Sequence, residues 1–149
     1  MTLTARRATP ADEAQFLAFC RDFHLEDGSP LDDAALATIG RVVAGEPLAP
    51  AYMLALNGQP VGFFVLTIGY SVENGGYDGY IDDIYLIPGL RGQGLGRRAV
   101  ELAIEAARVL GIRALLLEVE ATNHRAYALY EKMGFVDTKR RLLRQIIAP

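Results

Sequence analysis

The sequence predicts an α/β fold: a mixed, mostly antiparallel central sheet of six to seven strands with helices on both faces. Three observations carry that expectation. Strand-like runs and helix-like stripes follow one another in the order β-α-α-β-β-β-α-β-α-β-(β). The pair Asn57-Gly58 separates two apolar runs, as a two-residue hairpin turn does. Leu115, Leu116 and Leu117 are apolar in series, which suits a central strand buried on both faces.

Each element has its local reason. Leu3–Arg7 reads as a first strand. Thr9, Pro10, Asp12 and Glu13 open a helix with a cap, a preset φ and acids at the positive dipole end. Phe16, Phe19, Cys20 and Phe23 form one apolar stripe, which Gly28-Ser29-Pro30 ends. A second helix is expected over 31–43, with Leu36, Ile39, Val42 and Val43 inward and Gly45-Glu46-Pro47 as its stop. Strands over 51–56 and 61–68 flank the Asn-Gly turn. The glycine-rich stretch 71–79 reads as a loop before a strand over 80–87. The helix after Gly94 presents Leu95, Ala99, Leu102, Ala103, Ala106 and Leu110, and Gly111 caps it. A strand over 113–119, a short helix over 123–133 and one or two strands over 135–147 complete the chain. With 149 residues and no repeat or low-complexity segment, a single domain over 1–149 is expected.

Composition narrows the function classes. Hydrophobic residues make up 51% and charged residues 22%, which predicts a packed core rather than disorder. Cys20 is the single cysteine, so neither an intrachain disulfide nor a cysteine-rich metal site is expected; on its helix stripe it reads as core. No metal is expected. No apolar run approaches the roughly 20 residues of a membrane span, and residues 1–7 lack the apolar centre of a signal peptide. The expectation is a soluble, cytoplasmic protein without a membrane partner. A pI of about 5.4 and the lack of an aromatic-studded basic face disfavour nucleic acid. Charge is segregated: from Asp22 to Leu90 there are ten acidic residues and one basic, and from Arg91 onward eleven basic and six acidic. A cationic substrate meeting an anionic cofactor would suit that split; a solvated surface with segregated signs is the plainer alternative.

The most informative stretch runs from Asp82 to Arg98. A strand carrying Asp82 and Asp83 feeds a turn with Gly92, Gly94 and Gly96 that opens the long helix. Backbone amides and a helix N-terminus converge there, a geometry that receives phosphate, and Arg91, Arg97 and Arg98 add charge. The spacing lacks the Gly-Lys-Ser/Thr ending of a P-loop and differs from the dinucleotide fingerprint. A glycine turn serving only strand–helix packing is the alternative, and the clustered arginines argue against it.

Taken as Arg91-x-x-Gly94-x-Gly96, the segment resembles the acetyl-CoA signature of the Gcn5-related N-acetyltransferases. Asp82-Asp83-Ile84-Tyr85-Leu86-x-Pro88 resembles that family's fourth strand, and Asn123-x-x-Ala126-x-x-Leu129-Tyr130-x-x-x-Gly134-Phe135 its later helix and following strand. The resemblance covers essentially the whole chain. It implies that the fourth and fifth strands splay apart around a pantetheine arm, which the backbone of Ile84, Tyr85 and Leu86 would pair with. The Leu86 amide would be the oxyanion donor, a type of contact worth about 3 kcal/mol. Behind Arg91, the amides of Gly92, Gln93, Gly94, Leu95, Gly96 and Arg97 would hold the pyrophosphate of acetyl-CoA. Asn123 and Ala126 would lie near the arm, and Tyr130 would protonate the departing thiolate. Tyr127 and Tyr130 share one helix face, so a purely packing role for Tyr130 is the alternative.

The resemblance also assigns the acids. Asp82 is the first choice for general base and Asp83 for amine binding, although neighbours on a regular strand face opposite sides unless a bulge intervenes. Glu26 and Asp27 would line the acceptor site. His24 is a rival base that could instead serve its helix terminus. His124 reads as surface, and Arg140, Arg141 and Arg144 as exposed positions on a final strand. The implied function is direct acetyl transfer to a primary amine, a small cationic one such as a polyamine, diamine or lysine-like side chain. An acceptor on a protein or aminoglycoside is the nearest alternative, and a non-catalytic acyl-CoA sensor is another class. Analogy with such folds suggests a homodimer.

Overall fold

The computed structural model describes residues 2–148. Two units are distinguished, Met1–Leu117 and Glu118–Pro149. The first holds a five-stranded sheet in the order β1-β2-β3-β4-β5, from β1 (Leu3–Arg7), β2 (Ala51–Leu56), β3 (Gln59–Ser71), β4 (Gly76–Leu86) and β5 (Ala114–Leu116). The β1–β2, β2–β3 and β3–β4 pairs are antiparallel and β4–β5 is parallel. The expected mixed, mostly antiparallel class therefore holds, with five strands among the described residues instead of six to seven.

Helices α1 (Glu13–Glu26) and α2 (Asp33–Val43) cover one face. Phe16, Phe19 and Cys20 of α1 and Val43 of α2 pack with Ala51, Met53, Phe63, Val65 and Tyr85, the alternate residues of three strands. The predicted stripe is the one that is buried, with Phe23 packed against the same cluster. A 3-10 turn, Pro10–Asp12, precedes α1, and the Asp12 carboxylate accepts from the Thr9 N–H at 2.8 Å and from Arg6 at 2.7 Å. Helix α3 (Leu95–Val109) packs on β1, β3 and β4. It buries Leu95, Ala99, Val100, Leu102, Ala103 and Ala107, so its inward stripe passes through Ala107 rather than the expected Ala106.

Three expectations are corrected. Residues 71–79 are not a loop: β3 and β4 continue past it as a long hairpin closed over 72–75, with Tyr70 and Tyr77 meeting edge to face across the strands at 5.5 Å. Positive φ at Gly75 and Gly76 (78° and 150°) lets the chain reverse there. Strand β5 is three residues long, not seven, and each is partly rather than fully buried. Finally, 135–147 forms no strand. In the second unit, α4 (His124–Lys132) ends at Gly134 with φ 96°, and Lys139 turns the chain with φ 60° while its N–H donates to Asp137 at 2.8 Å. The apolar residues beyond come as the doublets Leu142-Leu143 and Ile146-Ile147, which lack the period-2 alternation of a half-buried strand. Arg140, Arg141 and Arg144 are exposed, though on no strand.

The Asn57-Gly58 turn forms as expected, with φ 52° and 80°. One glycine is needed for a different reason. A Cβ at Gly62 would lie 2.0 Å from the Tyr85 carbonyl oxygen. Gly62→Ala is expected to lower stability by about 1–3 kcal/mol through forced separation of β3 and β4, measurable by denaturant titration; wild-type stability in this variant would contradict that close approach.

Candidate active site

The site grows from where two ladders end. β4 pairs with β5 only over Asp78–Tyr80, opposite Ala114–Leu116, and then runs on to Leu86 with β3 on one side. The Ile87 N–H donates to the Val61 carbonyl at 2.9 Å, so alternation makes Phe63–Tyr85 the next doubly bonded pair. The backbone groups of Ile84 and Leu86 therefore point away from β3, toward the open side. The Leu86 carbonyl accepts there from Arg91 Nε at 3.1 Å, which leaves its N–H as a donor facing the gap.

A cavity of about 310 Å³ lies against this edge, lined by Phe23 and Glu26 of α1, by Asp27 just after it, by Ile84, Tyr85 and Leu86, and by Arg91. Glu26 and Arg91 meet as a two-pronged ion pair at 2.6 and 2.9 Å, with the guanidinium 5.4 Å from the Tyr85 ring centroid. Arg91 thereby holds the Glu26 carboxyl below its ordinary range. Arg97 binds Glu101 at 3.3 Å, and Arg98 binds Glu101 and Glu105 at 3.4 and 3.0 Å. All three arginines of the turn are thus engaged by carboxylates. Its positive character comes from backbone amides: Gly92 and Gly94 both have φ 78°, no side chain caps α3, and the amides of Leu95, Gly96 and Arg97 have no intrahelical acceptor. A Cβ at Gly96 would meet nothing within 4 Å. Internal packing gives no reason for glycine at that helical position, whereas close approach of a ligand to the backbone does. Gln93 donates its side-chain N–H to the Gly89 carbonyl at 3.1 Å.

The two aspartates straddle an irregularity. Val65 pairs with Asp83 but Leu66 pairs with Ile81, so Asp82 is the extra residue of a β-bulge. Asp83 shares the face of Tyr85, toward α1, and its Oδ2 lies 3.3 Å from His24 Nε2, with side chains 21% and 25% exposed. Burial pushes the Asp83 carboxyl up, the Asp82 charge and Asp27 add to this, and His24 opposes it. Asp82 is open to solvent at its surface, yet partial desolvation still raises its carboxyl, with His24 pulling it down. The site thus gathers His24, Asp27, Asp82 and Asp83. His24 could be linked to Asp83 only in three dimensions, since 59 positions separate them. Burial and Asp83 push the Cys20 thiol up to about 12, which agrees with its place in the core.

In the second unit, Asn123 caps α4, its Oδ1 accepting from the Ala126 N–H at 3.1 Å. Tyr130 is half-buried, meets Phe135 edge to face at 5.9 Å, and has its phenol raised by burial, so it keeps its proton at neutral pH. Its neighbour Tyr127 and His124 are exposed.

Comparison with known proteins gives the family. The model of the acetyltransferase (GNAT) family matches residues 15–135. The chain belongs to this family. Thialysine N-epsilon-acetyltransferase of Bos taurus is 35% identical over 92 residues, 58% of this chain and 54% of that protein. An integron cassette protein, HFX_CASS3, from the mobile metagenome of Cole Harbour Salt Marsh is 34% identical in its crystal structure, with TM-score 0.82 over 97% of this chain and 91% of that one. AAC(6')-Iy in complex with a bisubstrate analog, CoA-S-monomethyl-acetylneamine, shares the fold at 16% identity, with TM-score 0.79 over 99% of this chain and 100% of that one. The chain spans about half the length of the first curated relatives it matches, 43% to 54%.

Because Asp82 and Asp83 titrate above the ordinary carboxylate value in the folded chain, folding favours their protonated forms. Their stabilising contribution is complete below about pH 4 and is lost as pH rises through the folded values. Asp82→Asn is therefore expected to raise Tm at pH 7–8, with the gain vanishing near pH 3. Thermal melts across that range check it, and a lower Tm at neutral pH would contradict the assignment.

Proposed function

We propose that the protein moves an acetyl group from acetyl-CoA directly to a primary amine of a small cationic acceptor. The observation that carries this reading is the unpaired β4 edge at Ile84 and Leu86, set against a cavity and beside Asp82 and Asp83. The residues present fit the donor. Gly92 through Arg97 would hold its pyrophosphate by backbone amides, with Gly96 leaving room for approach, and the Ile84–Leu86 edge would pair with an amide-bearing arm. Asn123 and Ala126 are assigned to the same arm by family likeness, although the Ala126 amide is already used in the cap. When bound, acetyl-CoA supplies an acetyl group activated as a thioester.

The chain's own residues would do the rest. The Leu86 N–H would donate to the oxygen on which negative charge develops. Asp27 would attract the acceptor's ammonium, Asp83 would accept a hydrogen bond from it, and Asp82 would take its proton, since only the neutral amine is a nucleophile. Tyr130 would give its proton to the departing sulfur, a match of similar basicities. The cationic acceptor rests on the acids at the cavity, of which Glu26 is neutralised by Arg91 and so contributes only if that pair opens. The bovine relative's name specifies the ε-amine of thialysine, which is consistent with an amine on a flexible cationic chain.

Incubation with acetyl-CoA and a panel of polyamines, diamines, lysine analogues and aminoglycosides, with free thiol followed, tests this. Thiol release with the cationic amines is expected, and Tyr130→Phe should lower kcat by about 100-fold or more. Donor binding without thiol release across the panel would instead mean an acyl-CoA sensor. Gly96→Ala provides a separate check on the donor site: Tm unchanged or higher, as alanine favours a helix by up to about 1 kcal/mol, with a several-fold higher KM for acetyl-CoA. An unchanged KM would remove the glycine argument.

A further inference from the structure

The acidic pair on β4 poses an electrostatic problem that α1 solves. Two carboxylates adjacent across a bulge repel when both are ionised, and one is then driven to keep a proton. A base that holds a proton cannot accept the acceptor's. We propose that His24 is the positioning residue that leaves Asp82 free to act: as an imidazolium it pairs with Asp83, so that of the two carboxylates on β4 only Asp82 is left uncompensated. This rests on the acetyltransferase reading above.

The geometry supports the division of labour. His24 Nε2 is 3.3 Å from Asp83 Oδ2, and both side chains are about four-fifths covered. Asp82, as the bulged residue, is the more open of the two and reaches solvent. Phe23 meets the His24 ring edge to face at 5.1 Å, which fixes the imidazole on the last turns of α1. The charged and titratable neighbours are few. Asp83 faces Asp82 on its own strand, His24 and the Cys20 thiol on α1 and Asp27 just beyond that helix, while β3 offers the apolar Val65 opposite. The thiol stays protonated, and among these neighbours His24 is the one side chain able to carry a positive charge beside the aspartates. In the transfer of the proton, the ammonium N–H bond breaks, the electron pair stays on nitrogen, and an Asp82 oxygen gains the proton and later returns it to water. The Asp83–His24 pair keeps its one shared proton throughout.

The test compares kcat/KM against pH for the parent, His24→Gln, and His24→Gln with Asp83→Asn, using acetyl-CoA and an accepted amine. His24→Gln should move the acidic limb to higher pH, each pK unit of displacement being about a tenfold loss on the acidic side of the limb, with little loss at pH 9. Adding Asp83→Asn should bring the limb back toward the parent position, because the competing charge is gone. A uniform loss at every pH, or a double variant whose limb stays displaced, would overturn the proposal. The Asp82 carboxyl can also be titrated by carbon NMR in the ligand-free protein. Its midpoint should rise in His24→Gln, and an unmoved midpoint overturns the proposal. If no amine is acetylated, the acetyltransferase reading fails while this titration still decides the role of His24.

Discussion

A parallel strand pair that lasts three residues leaves the longer strand with backbone donors and acceptors that nothing in the sheet satisfies. That constraint organises the first unit. β4 leaves β5 at Tyr80 and continues as one side of an open gap, held straight by β3. Unpaired backbone groups are costly when buried, so such an edge persists only where water or a ligand can reach it. The cavity beside Ile84–Leu86 provides that access. The same strand leads through Pro88–Leu90 into the amides at the start of α3, so the edge proposed for the donor's arm and the amides proposed for its phosphates are joined by a few residues of chain.

The bulge at Asp82 adds chemistry to that frame. It breaks the alternation at the point where β4 emerges from its pairing, and it sets two carboxyls near one imidazole. Their raised titration is a strain held by the surrounding core: Phe19, Phe23, Phe63 and Tyr85 pack around the same end of α1. Carboxyls perturbed in this way beside a cleft are candidates for catalysis. The Arg91–Glu26 pair shows the opposite economy. It is about 40% exposed on each side and therefore weak, so it closes the cavity rim without holding the fold together.

Much of this was legible in the sequence where the cause is local. The Asn57-Gly58 hairpin, the Phe16–Phe23 stripe and the glycine turn ahead of α3 each follow from a few neighbouring residues. What escaped is non-local. The bulge depends on register between β3 and β4, and the His24–Asp83 and Arg91–Glu26 contacts join residues 59 and 65 positions apart. Of the arginines of the glycine turn, only Arg91 has a partner that sequence hides, Glu26 at 65 positions; Glu101 and Glu105, on the same helix as Arg97 and Arg98 and within seven residues of the arginine each binds, could have been read as theirs. The one or two strands expected over 135–147 do not form there, and the doublets of leucine and isoleucine in that stretch do not alternate. The hairpin beyond Ser71 ran the other way: its glycines read as loop because their role at a reversal is seen only once Tyr70 and Tyr77 face each other.

The central claim is that the open edge of β4 is where the acyl donor's arm binds. Amide hydrogen exchange resolved at Ile84, Tyr85 and Leu86, with and without CoA, tests it most directly. The Tyr85 amide, already bonded to β3, should be protected in both states, whereas those of Ile84 and Leu86 should exchange readily in the free protein and slow strongly when CoA is added. Exchange at Ile84 and Leu86 that is the same at saturating CoA would contradict the account.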